Sequence, residues 1–134
     1  MLKSIDPATG RELANFPELD DAGIEAAIAR AWTTRAAWRD TGLETRAALL
    51  RSVAGVLRAD KARFAALLTQ EMGKPIVEAE AEIEKCAWTA AWFAEHAARL
   101  LADQPVESTA TVSYVRFQPL GVILAVMPWN FPFW

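Results

Sequence analysis

The run Leu120-Gly121-Val122-Ile123-Leu124-Ala125-Val126-Met127 constrains this chain more than any other feature. No charged or polar side chain interrupts it. A strand wetted on one face alternates apolar and polar positions; a strand covered on both faces, as in a parallel sheet, is apolar throughout. The run therefore predicts an interior strand of an α/β sheet. Such a strand needs neighbours and covering helices, and each parallel neighbour needs a crossover of roughly a dozen residues or more. The residues before it offer helices but no second buried strand, and only Pro128 to Trp134 follow. The expectation is an α/β fold whose main sheet is incomplete within residues 1–134, the chain stopping soon after its first main-sheet strand.

The helical part is marked by caps and breakers. Ile5-Asp6-Pro7-Ala8-Thr9-Gly10-Arg11-Glu12-Leu13 predicts a hairpin turn, with its second strand near Leu13 to Phe16. Asp20 is placed to cap a first helix, with Leu19 and Ile24 at staple positions and Ile24, Ile28, Trp32 and Trp38 at helical spacing. Thr41-Gly42 ends it. A second helix carries Leu43, Ala47, Leu50, Ala54 and Leu57, and Asp60 can cap a continuation with Phe64, Leu67, Leu68 and Met72. Gly73 followed by Pro75 is a stop signal. Pro75 then suits the first position of a third helical stretch, whose stripe reads Ile76, Ala79, Ile83, Cys86, Ala90, Phe93, Ala97 and Leu100. Beyond Pro105 the composition turns β-branched, and residues 109–118 predict an edge strand.

Charge and composition exclude several classes. The net charge is −3 and the sequence pI about 5.2, so there is no basic surplus to neutralise phosphates, and nucleic acid is not an expected partner. No apolar stretch reaches the roughly 18 residues of a membrane span, and no signal peptide is visible. One cysteine among 134 residues cannot form an internal disulfide. A cytoplasmic location is expected.

In open α/β sheets, ligands bind beyond the carboxyl ends of the strands. Pro128-Trp129-Asn130-Phe131-Pro132 stands at that place, with an amide side chain among aromatics. These residues, with Pro119-Leu120-Gly121-Val122-Ile123 before them, resemble the aldehyde dehydrogenase superfamily. Glu71-Met72-Gly73-Lys74-Pro75 matches a second signature of that family, and Asp6-Pro7-Ala8-Thr9-Gly10 a third, less specific one. The three occur in family order. The resemblance covers nearly all of this chain but only the first quarter to third of a family member. Trp92-Phe93-Ala94-Glu95-His96 and Met127 look most like the succinate-semialdehyde dehydrogenase branch.

The resemblance implies an NAD- or NADP-dependent oxidation of an aldehyde, succinate semialdehyde first, to the carboxylic acid. A cysteine thiolate would form a thiohemiacetal, and a glutamate-activated water would release the acid. Asn130 matches the family's oxyanion-stabilising asparagine. Met127, Pro128, Trp129 and Asn130 match the loop that lies against the cofactor, while Phe131 and Trp134 match positions near the aldehyde entrance. Residues 1–134 would be the N-terminal, helical part of the cofactor-binding domain, and residues 109–118 a strand of the oligomerisation extension. The intact parent would be a homodimer or homotetramer. The family's nucleophilic cysteine, its base and its phosphate-binding glycine turn would lie downstream, so the segment alone would be inactive.

Other candidate groups read as structural. Cys86 falls on an apolar helical stripe in Glu84-Lys85-Cys86-Ala87, which does not match the family's nucleophile motif. His96 has no triad partner and no second metal ligand, so no metal site is expected. Glu78, Glu80, Glu82 and Glu84 alternate, and residues two apart do not face each other on a helix, so they are read as a solvated acidic face. Lys74 is read as a charge suiting a helix C-terminus. Two rival readings remain: a stand-alone helical interaction module, and a membrane-surface protein anchored by the apolar tail.

Overall fold

The computed structural model describes residues 1–134 and is helical at its centre. Strands β1 (Leu2–Ile5) and β2 (Glu12–Phe16) form an antiparallel hairpin, with a register shift between Ser4 and Ile5. Its turn is closed as the composition predicts. The Asp6 carboxylate accepts from Ala8 N at 2.8 Å, Gly10 N donates to the Asp6 carbonyl at 2.8 Å, and Gly10 takes φ +70°. That dihedral is left-handed, where a Cβ would be strained.

Helix α1 spans Asp21–Asp40, and Asp20 caps it by accepting from Gly23 N at 2.8 Å. Helices α2 (Leu43–Ala59), α3 (Lys61–Met72) and α4 (Ile76–Leu100) follow. Asp60 separates α2 from α3, but its side chain caps nothing; it pairs with Arg63 at 2.8 Å instead. Gly73 ends α3 with φ +75°, the expected left-handed stop. Pro75 sits one position earlier than expected, at the cap of α4 rather than inside it.

The core lies where α4 packs on α2 and α3. Ala65, Leu68, Ala79 and Ile83 form its centre, with Leu57, Phe64 and Phe133 packed around them. Burying side chains the size of Leu68 and Ile83 contributes about 1.5–3 kcal/mol each. The buried line of α4 runs through Ala79, Glu82, Ile83, Ala87 and Ala94, so it is offset from the stripe expected from periodicity. Ile76 and Leu100 are exposed, and Phe93 lines an open groove with Leu50 and Val53 of α2. Alanines dominate the contact because they let helix backbones approach closely. Helix α1 buries none of its residues, and Ile24, Ile28, Trp32 and Trp38 all stay exposed.

The β-content beyond α4 is smaller than expected. Of residues 109–118 only Tyr114–Val115 (β4) forms a strand, paired antiparallel with Gln104–Pro105 (β3). The apolar run from Leu120 to Met127 joins no ladder. A strand exists by exchanging backbone hydrogen bonds with a neighbour, and no neighbour lies beside it. Leu120, Ile123, Leu124 and Val126 are left facing solvent, Leu120 at 92% exposure. No helix is long and apolar enough to cross a membrane.

Candidate active site

Three segments far apart in sequence meet at one end of the helical core. Pro7 of the hairpin turn, Leu68, Glu71 and Met72 at the end of α3, and Trp129, Pro132 and Phe133 of the last segment line one cleft. Gly73 makes the approach possible: a Cβ there would stand 3.1 Å from Pro7 Cγ. The Asp6–Gly10 turn, the Glu71–Pro75 corner and the Pro128–Pro132 loop are therefore neighbours in space.

The last segment is fastened by a buried ion pair. Lys74 leaves the Gly73 corner and donates Nζ to Glu82 of α4; the two side chains are 8% and 2% exposed. Lys74 Nζ also donates to the Asn130 carbonyl at 3.0 Å and lies 4.1 Å from the centre of the Phe131 ring. The other Glu82 oxygen accepts from the backbone N–H groups of Phe133 and Trp134, at 3.0 and 3.3 Å. Phe133 packs against Phe64 of α3, ring centroids 5.3 Å apart, and Lys85 Nζ lies 3.6 Å from the Trp134 ring centre.

This arrangement corrects two expectations. Glu82 does not belong to a solvated face. It lies three residues after Ala79 and four before Cys86, on the buried side of α4, whereas Glu78 and Glu80 are exposed and Glu84 is partly exposed. Lys74 does not serve a helix terminus from the surface; it is the buried partner of Glu82. A buried charge is costly unless paired and hydrogen-bonded, and here each member has its partners. Burial pushes the Glu82 carboxyl up, but the Lys74 ammonium and the two backbone N–H groups outweigh it and hold the carboxyl below its ordinary range.

Asn130 stands in a turn with Trp129, its backbone held by Lys74 while its side-chain amide makes no hydrogen bond within the chain. The amide is thus open, on a backbone that is not. Met127, Pro128 and Trp129 are exposed, Trp129 at 78%. Phe131 and Trp134 are partly covered by Lys74 and Lys85. Lys74, Glu78, Glu82, Lys85, Asn130 and Phe131 share one open cleft.

The remaining titratable candidates are elsewhere. Cys86 is half-buried on α4, and burial, then the negative charge of Glu82, raise its thiol above the ordinary range. A thiol so shifted is a poor nucleophile. The His96 ring stacks on Trp92 at 4.4 Å, and its Nδ1 lies 2.8 Å from the Trp92 carbonyl, within its own helix. No cluster of His, Cys, Asp and Glu could hold a metal ion. Sequence reasoning missed Lys74 and Glu82 as site residues. The available signal was Glu82 falling at helical spacing with Ala79 and Cys86, a charge on an apolar stripe.

Sequence and fold are shared with known proteins. Succinate-semialdehyde dehydrogenase [NADP(+)] 1 of Mycobacterium tuberculosis is 45% identical over 136 aligned residues, which cover 99% of this chain and 30% of that protein. An Escherichia coli succinate semialdehyde dehydrogenase of the NAD(P)+ type is 41% identical, with 98% and 28% covered. The crystal structure of succinic semialdehyde dehydrogenase from Streptococcus pyogenes, in complex with NADP+, superposes with a TM-score of 0.92 at 38% identity, over 98% of this chain and 29% of that one. The chain thus spans about 30% of the length of the curated relatives it matches. The profile of the aldehyde dehydrogenase family matches residues 1–134 from end to end, and the chain belongs to that family.

Proposed function

We propose that residues 1–134 form the N-terminal stretch of an NAD- or NADP-dependent aldehyde dehydrogenase that oxidises succinate semialdehyde to the dicarboxylic acid. The observation that carries this reading is Asn130: an unpaired side-chain amide on a fastened backbone, directly after an apolar run that lacks its sheet partners. Names of the similar enzymes point to the same substrate and to both nicotinamide cofactors.

In this reading a cysteine thiolate outside residues 1–134 adds to the aldehyde carbon, and negative charge grows on the aldehyde oxygen. The Asn130 side-chain N–H groups donate to that oxygen. Because Lys74 already holds the Asn130 backbone, little reorganisation accompanies the charge build-up. A nicotinamide cofactor held against this loop would supply the acceptor for the hydride that leaves the adduct. A glutamate outside this stretch then activates water to release the acid. Cys86 is not the nucleophile: it sits on α4 with a raised pKa and belongs to neither loop.

The exposed surface formed by Met127, Pro128 and Trp129 fits one wall of a cofactor site, since a flat apolar face suits an aromatic ring. With Asn130, these are the residues that would hold the cofactor from this side. Phe131 and Trp134 would border the aldehyde entrance. The short β3–β4 ribbon, with Val112, Val115 and Phe117 exposed beside it, is suited to extension by a neighbouring strand. That supports an oligomerisation strand within residues 109–118 and a homodimeric or homotetrameric enzyme; the single cysteine fits a cytoplasmic location. A self-sufficient helical module would not leave Leu120 to Met127 in solvent, and the tail forms no amphipathic helix for a membrane surface.

The test is Asn130→Ala in a full-length dehydrogenase beginning with these residues. Loss of one oxyanion donor should lower kcat on the order of 100- to 1000-fold, with KM nearly constant. An unchanged kcat would refute the role. Residues 1–134 alone should show no aldehyde oxidation.

A further inference from the structure

We infer that Lys74 and Glu82 are positioning residues for the reaction, a clamp that sets where the Asn130 amide stands. The inference rests on the reading of Asn130 given above. Its basis is a division of labour between atoms. Lys74 carries three N–H donors. Two are spent on Glu82 and the Asn130 carbonyl, and the Phe131 ring lies against the ammonium. Glu82 uses its second oxygen on Phe133 N and Trp134 N. The pair therefore grips residues 130, 131, 133 and 134, on the far side of the loop from the apolar run.

A plain stability role explains this poorly. Replacing a buried ion pair by apolar residues of similar volume is often neutral or stabilising, so folding alone gives little reason for a charge on the buried face of α4. Geometry gives one. Every polar contact that either side chain makes beyond its partner goes to the backbone of the Asn130–Trp134 segment. Helices α2 and α3 contribute none of them. Holding a backbone this way leaves the Asn130 side chain free to act, which contact with the amide itself would not.

The test has two arms. In the 134-residue chain, amide exchange at Phe133 and Trp134 should speed up at least tenfold in Glu82→Ala, while α4 amides keep their protection. In the full-length dehydrogenase, Lys74→Met should lower kcat about 10- to 100-fold with KM within about twofold, because misplacing a reacting group by an ångström costs that much. Lys74→Arg, which keeps charge and donors, should recover part of the loss. Asn130→Ala combined with Lys74→Met should lose no more than Asn130→Ala alone, since a clamp acting through Asn130 has nothing left to place. Multiplying losses, or a Lys74→Met enzyme with full kcat, would overturn the inference while leaving Asn130 in its role. A silent Asn130→Ala would instead defeat the functional reading. If Lys74→Met does not fold, Glu82→Gln, of the same shape, takes its place in the same cycle, with the same outcomes deciding.

Discussion

Phe133 rests on Phe64 with ring centroids 5.3 Å apart, although the two lie in separate parts of the chain. The contact folds the end of the apolar segment back onto α3, and it brings the Trp129–Asn130 turn beside the Gly73 corner and the Pro7 turn. The geometry of the site depends on that return.

The Gly73 corner should not tolerate a side chain. Its φ of +75° disfavours any L-residue, and a Cβ would press on Pro7 Cγ at 3.1 Å. Gly73→Ala is expected to destabilise the chain by about 1–2 kcal/mol, read from urea unfolding midpoints. A midpoint equal to that of the parent chain would mean that the corner is not held in this conformation.

Acid should loosen the structure through Glu82. Its folded carboxyl titrates below the ordinary range, whereas the unfolded chain's would titrate near about 4.3. The stability it contributes is therefore full above the unfolded value and is lost as pH falls through the folded one. Urea midpoints measured from about pH 7 down to about pH 3 should fall more steeply in the parent chain than in Glu82→Gln. Parallel curves would show that folding does not lower the Glu82 carboxyl below its unfolded range. Asp6 and Asp103 also titrate low, held by backbone and Arg116 donors respectively, so the comparison with Glu82→Gln is what isolates the buried pair.

Cys86 should be chemically quiet. With its thiol raised by burial and by Glu82, alkylation by iodoacetamide should be slow near neutral pH and should accelerate only above the ordinary thiol range of about 8.5. In the full-length dehydrogenase, Cys86→Ala should leave kcat unchanged. Loss of activity would give Cys86 a part in the chemistry that its place on α4 argues against.

How much of this was legible in the sequence follows from range. Caps and stops act over a few residues, so Asp20, Gly42, Gly73 and the Asp6–Gly10 turn bound elements where expected. The apolar run predicts a buried strand, yet within this chain it joins no ladder and stays exposed, because strand pairing depends on partners that local sequence does not supply. Periodicity placed the stripe of α4 less well, because alanine contacts with α2 and α3, not the largest side chains, decide which face is buried. The Lys74–Glu82 pair was not legible as a clamp. Its meaning lies in contacts with residues about fifty positions away, and four alternating glutamates mask the one that turns inward. Asn130 was visible only through the resemblance of its loop; physical reasoning alone marked the place beyond the strand, not the role.

The most direct test is backbone amide exchange along Leu120 to Met127, compared between the 134-residue chain and a full-length dehydrogenase beginning with it. Exchange should be fast in the short chain, where no strand lies alongside, and strongly slowed in the long one, where neighbouring strands take up those amides. Strong protection already present in the 134-residue chain would mean that the run completes a sheet by itself, and the reading of this chain as the front of a larger enzyme would fail.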